Sequence, residues 1–161
     1  MLIVKTQPHI IFRLVLAKTL FKSGIELCET RVDVFNFSHG LIALHDALDN
    51  FTGAIATQLN IHLRPDSTLI ATLNLIQEYE KKSDQAFIIK SRNELVQLNT
   101  IRNNIKHQGI TPNINGTKTL IEPIVTFFRE YSKRYFDLEW EVISLADLIK
   151  KDIVKPEKCV N

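Results

Sequence analysis

The densest chemistry in the chain is Arg102-Asn103-Asn104-Ile105-Lys106-His107, near the end of a polar stretch that Gly109 closes. Arginine presents a planar fork of donors that can hold a phosphate through two bonds and stabilise charge on its equatorial oxygens. Histidine titrates near neutrality, so it can take a proton from a 2′-hydroxyl or give one to a departing 5′-oxygen. Together these types suit cleavage of RNA with the strand's own 2′-oxygen as nucleophile, a reaction that calls for no metal and no cofactor. Asn103 and Lys106 place further donors beside them.

The element that must position these groups is one helix, Ser91 to Gly109. Ser91 and Glu94 have the spacing of a capping box. Leu95, Leu98, Ile101 and Ile105 recur at helical spacing as a buried stripe. Gly109 supplies a left-handed stop, and Pro112 bars continuation. On this helix Arg102 falls at the margin of the apolar face, Asn99, Asn103 and Lys106 share one polar flank, and His107 points outward. Five residues along a helix put Arg102 and His107 about 140° apart, so one regular helix does not assemble them. They converge if arginine curls along the surface, if the last turn relaxes before Gly109, or if a second subunit contributes across a two-fold axis. The competing reading pairs Arg102 with an acid at the core margin and leaves His107 as a solvated helix-end residue.

A second polar group lies on an earlier helix, expected from about His39 to Ile61 with Ser38 as its cap. Its stripe is Leu41, Leu44, Leu48, Phe51, Ile55 and Leu59. His45 and Asp49 sit on the margin of that stripe, four residues apart and within reach of one another, while Asp46 lies further toward solvent. His45, Asp49 and the distant His62 are too scattered to assign a metal.

The remaining pattern is helical. Pro8 to Glu29 repeats apolar residues at Ile10, Leu14, Ala17, Phe21 and Leu27, with Gly24 marking a close packing point or a bend. A linker over residues 30–36 follows. Arg64-Pro65-Asp66-Ser67 reads as a turn, with Asp66 or Ser67 capping a helix to about Lys82 that buries Leu69, Leu73 and Ile76. Residues 116–119 read as another turn before a helix from about Leu120 to Tyr135. Then the period changes to two: Phe136, Leu138, Trp140 and Val142 alternate with acids, as an extended segment does. Ser144 with Asp147 caps a last short helix to Lys151, and residues 155–161 read as a loose tail. The aromatics Phe127, Phe128, Tyr131, Tyr135 and Trp140 read as core and edge packing rather than as base-stacking platforms. The fold class is therefore all-α, a bundle of about five helices with one short extended segment, in a single domain over 1–161.

Composition agrees. Hydrophobic residues make up 45% and charged residues 24% of the chain, as in ordinary globular proteins. The net charge is only +2, but residues 90–134 hold eight basic and three acidic residues, whereas 36–89 hold three basic and six acidic. A basic third attracts polyanions. Cys28 and Cys159 form no metal or disulfide pattern. Arg13 and Lys18 interrupt the early apolar run, and no stretch has the length and polarity of a membrane span. A cytoplasmic location is expected, with no membrane partner.

Arg102-Asn103-x-x-x-His107 resembles the Arg-x(4–6)-His signature of HEPN domains, in which a polar residue, often Asn, follows the arginine. The resemblance covers the motif helix closely and the surrounding bundle in general layout. It implies a helical, commonly dimeric domain and a metal-independent endoribonuclease of bacterial defence or toxin–antitoxin systems. By the same resemblance Arg102 and His107 are catalytic, Asn103 supports phosphate placement, and His45, Asp46 or Asp49 supplies the polar residue of a preceding helix. RNA, a second copy of the chain and an antitoxin or other partner protein are the implied partners. Gly109 stands where the subgroup paired with a nucleotidyltransferase carries tyrosine, so that subgroup's regulatory modification does not transfer. The alternative is a non-catalytic HEPN-like module for dimerisation, RNA binding or partner binding. A plain interaction bundle, offering residues 136–142 as its surface, is the third reading.

Overall fold

The computed structural model describes residues 8–30, 33–142 and 144–147. Six helices follow one another in residues 8–136: α1 (Pro8–Thr30), α2 (Val34–Gln58), α3 (Leu69–Lys81), α4 (Arg92–Gln108), the short α5 (Ile114–Lys118) and α6 (Ile121–Phe136). No strand occurs among the described residues. The all-α bundle is as expected, with two helices longer than twenty residues. The last helix has begun at residues 145–147, where Ser144 and Asp147 cap each other through both backbone N–H groups. Its continuation to Lys151, the 155–161 tail and Cys159 lie outside the described residues.

α2 is the centre of the bundle and touches α1, α3, α4 and α6. Leu41, Leu44, Leu48, Phe51 and Ile55 are buried along one side, as their spacing requires. Phe51 meets Phe127 and Phe128 of α6 and the ring of Trp140, with centroids 4.7–6.0 Å away. Phe21 of α1 joins the same cluster against Phe128 and Trp140. These aromatics are core, and none is positioned to stack a base. Antiparallel α1 and α2 cross at glycines. A Cβ on Gly24 would stand 2.8 Å from Leu44 Cγ, and one on Gly40 would stand 2.9 Å from the Gly24 carbonyl. Gly24 is thus a close packing point. Burial beside this crossing pushes the Cys28 thiol up to about 11.

Three helix starts differ from expectation, two for local reasons and one through distant contacts. α2 begins five residues early because Asp33 caps it, its carboxylate accepting from the N–H groups of Phe35 at 3.0 Å and Asn36 at 2.9 Å. Ser38 lies inside that helix and donates to the Val34 carbonyl. Thr68, rather than Asp66 or Ser67, caps α3 through the Ala71 N–H. At α4 the capping box does not form. Ser91 takes the left-handed conformation, φ 57°, with no side-chain cap, whereas side-chain capping needs an extended residue. The preceding segment fixes that geometry: Ile89 is buried, its N–H donates to Gln77, and the Lys90 N–H donates to Tyr131 Oη.

The period-two segment keeps its alternation only in part. Leu138 and Trp140 are buried and Val142 is 83% exposed. The backbone runs irregularly over 137–139 and then turns, with the Val142 N–H donating to the Glu139 carbonyl. Lys18 reaches the Trp140 carbonyl and lies over the indole, and Arg129 pairs with Glu141, so the segment is tied down rather than presented as an open apolar edge.

Candidate functional site

α4 reaches the site by burying Leu95 and Leu98, with Ile101 and Ile105 half-buried behind them. Its stop is Gly109 at φ 65°. The Gly109 N–H reaches back five residues to the Asn104 carbonyl, and the Ile110 N–H shares that acceptor at 3.2 Å. A reach of five closes the helix at its left-handed residue, and the helix stays regular through Gln108, so the last turn brings Arg102 and His107 no closer. His107 and Lys106 are exposed, and among the described residues no hydrogen bond links His107 to Arg102.

Arg102 is half-buried. Its Nη1 donates to Asn103 Oδ1 at 3.1 Å, and its Nε is buried without a hydrogen-bond partner. Among the described residues it forms no close ion pair, so the anchoring acid of the competing reading is absent while its solvated His107 is present. The guanidinium is aimed by a neutral amide, and Asp46 and Asp49 act on its charge only from a distance.

The supporting residues of α2 are brought to this helix. His45 is buried, with Nε2 2.9 Å from Asn99 Oδ1 of α4 and Nδ1 3.4 Å from Asp46 Oδ1. The expected His45–Asp49 bond is replaced by these two. Both contacts are satisfied if the imidazolium donates twice, or if neutral His45 donates from Nδ1 and the Asn99 amide turns to donate to Nε2. Asn99 shares the flank of Asn103 and Lys106, so its spacing of four and seven from them is the signal that could have found it.

Two carboxylates beside this contact behave oppositely. The hydrogen bond from His45 holds the Asp46 carboxyl below its usual range, against the opposing effect of burial, and the charges of His45, Lys106 and Arg102 act with it. Asp49 is raised, chiefly by crowding from the protein, although His45, Arg102 and Arg13 pull it down. Its side chain remains open to solvent by surface area, so screening makes the consequence small. The charges of Arg102, Lys106, Asp46 and Asp49 thus form one electrostatic group across α2 and α4, with Arg13 of α1 at its far side. Arg13 carried no motif in the sequence that marked it. No cluster of three or more His, Cys, Asp or Glu groups that could hold a metal occurs among the described residues.

Comparison with protein-family models, with curated proteins and with solved structures gives no match. No described helix is long and apolar enough to cross a membrane. The functional reading therefore rests on the chemistry of the site and on the resemblance of its motif.

Proposed function

We propose that the chain is a metal-independent endoribonuclease of HEPN type, acting as a homodimer whose active site is shared between two copies, in a bacterial defence or toxin–antitoxin setting. The observation that carries the reading is the Arg102–Asn103 pair. A half-buried guanidinium aimed by an amide, with no carboxylate bonded to it although Asp46 and Asp49 lie within reach of its charge, suits binding of a phosphodiester. Arg102 holds the scissile phosphate and Asn103 fixes the guanidinium. His107 takes the 2′-hydroxyl proton while the 2′-oxygen attacks phosphorus. The bond to the 5′-oxygen breaks, and a second histidine gives that oxygen a proton. The products are a 2′,3′-cyclic phosphate and a 5′-hydroxyl. Two proton transfers and one histidine in the motif of each chain call for His107 of two copies. His45, Asp46 and Asn99 position α2 against α4, and Lys106 adds positive charge to the strand's path.

The exposure of His107, apart from Arg102, favours as second reading a non-catalytic module of the same kind that binds RNA or a partner protein. One experiment separates the two. Purified protein is incubated with RNA in chelator beside Arg102→Ala and His107→Ala, and the two variants are also mixed. The nuclease reading expects cleavage by the native chain, loss in each variant and no recovery on mixing, because mixed dimers carry only one of the two histidines that the proton transfers need. Equal cleavage by native and variant chains sinks it. RNA binding that weakens with salt but never leads to cleavage supports the module.

A further inference from the structure

The polar face of α2 continues past the Arg102 region. Asp46, Asp49, Asn50 and Gly53 follow the i, i+3, i+4, i+7 spacing of one helix face. Beyond Asp49 this face opens into a cleft of about 310 Å³, bordered by Arg13 of α1, by Asn50 and Gly53, and by Arg64 and Ser67 of the loop between α2 and α3. Three other described arginines are engaged: Arg129 with Glu141, Arg134 with Glu80 and Arg92 with Asn74. Arg13 and Arg64 form no hydrogen bond or close ion pair among the described residues. Arg13 feels Asp49 only through its charge. Two guanidiniums and one carboxylate leave the cleft net positive.

The cleft also has a built place for one of them. A Cβ on Gly53 would fall on Arg13 Nη1 and lie 3.0 Å from its Cζ, so the guanidinium occupies the space that the missing side chain leaves. The glycine lets Arg13 bring the Nη1 end of its guanidinium against α2. Asn50 Nδ2 already donates to the Asp46 carbonyl at 2.8 Å, which fixes its amide at the rim.

We propose that this cleft is a second phosphate subsite, in which Arg13 and Arg64 hold a backbone phosphate of the single strand whose scissile phosphate lies on Arg102. The identity of the strand as RNA rests on the nuclease reading; the anion chemistry rests on the two arginines. Asp46 and Gly53 are seven residues apart, about 10 Å along the helix axis, so a short oligonucleotide spans both ends of the stripe. Asp49 stands between them as a single negative charge. It repels a phosphate at the middle position and sets the strand's register, one phosphate on either side.

The test has two arms on the intact protein. In the first, inorganic phosphate is titrated while backbone amide signals of Gly53 and Ser67 are followed by NMR. Saturable shifts are expected, and their loss in Arg13→Gln/Arg64→Gln. In the second, binding of single-stranded RNA is measured against salt in the His107→Ala background. Arg64→Gln should weaken binding whatever the sequence and lower the slope of log affinity against log salt by about 0.7. Gly53→Ala should weaken it without any change of charge, because alanine evicts Arg13 while favouring the helix. Absence of saturable shifts, or native affinity and slope in both Arg64→Gln and Gly53→Ala, overturns the subsite and leaves the nuclease reading standing. Normal phosphate shifts with RNA neither bound nor cleaved overturn the RNA ligand and the nuclease reading together, and keep the cleft as a phosphate site.

Discussion

The two sides of α2 are built on opposite principles. One side carries Leu41, Leu44, Leu48, Phe51 and Ile55 into a dry core, where rings of four elements pack at centroid distances near 5 Å. The other carries His45, Asp46, Asp49 and Gly53, whose partners come from α4 and α1. Apolar burial is non-directional and adds up over area, so the first side is held by many contacts that each matter a little. The second side is held by a few directional contacts and by charges at some distance, which are weaker in total and more specific. That contrast lets the polar side change with less danger to the fold than the apolar side.

The largest blow to the contrast is a cavity on the apolar side. Phe51→Ala should lower stability by about 3–5 kcal/mol, read from the urea midpoint; a loss below 1 kcal/mol would mean that the aromatic cluster does not hold the bundle. Overpacking the glycine crossing comes next. Gly40→Ala sets a methyl against the Gly24 carbonyl and Cys28 Sγ, neither of which can retreat far, and should cost about 1–3 kcal/mol. An unchanged melting temperature would show that the helices separate freely there.

On the polar side, His45→Ala leaves Asn99 without its buried partner and should cost about 1–2 kcal/mol. A double-mutant cycle with Asn99→Ala should return a coupling of at least about 0.5 kcal/mol; additivity would break the α2–α4 seam as described. The smallest effect is Asp49→Asn. The Asp49 pKa is raised in the folded protein, so the ionised carboxylate opposes folding at neutral pH, and that penalty fades as pH falls through the folded value toward 3.8. Removing the charge should therefore stabilise the protein at pH 7, by ~0.3 kcal/mol after solvent screening, and do nothing well below pH 4. Asp46, held low by His45, has the opposite sign: its contribution is present above its unfolded value and is lost as pH falls through the folded one. Asp46→Asn should destabilise at neutral pH, and urea midpoints across pH 3–7 distinguish the pair.

The same contrast explains what could be read in advance. The apolar stripes of α2, α3 and α4, and that of α1 as far as Phe21, were legible because helical periodicity records burial residue by residue; at the end of α1 it is Cys28 rather than Leu27 that enters the core. Gly24 and Gly109 were legible too, one as a glycine inside a helical stripe and the other as a stop before Pro112. The Ser91 box was not, because the chain's approach to α4 is set by Ile89, Gln77 and Tyr131, all distant from Ser91 in sequence or outside its motif. For the candidate site, the sequence determined that Arg102 and His107 leave α4 on different sides, since helix geometry is local and fixed. Only the tertiary structure decided that His45 turns to Asn99, that Arg102 has an amide rather than an acid beside it, and that Arg13 lies in the gap at Gly53. Those are meetings between separate helices, and they depend on how α1, α2 and α4 cross, which no spacing within one helix encodes.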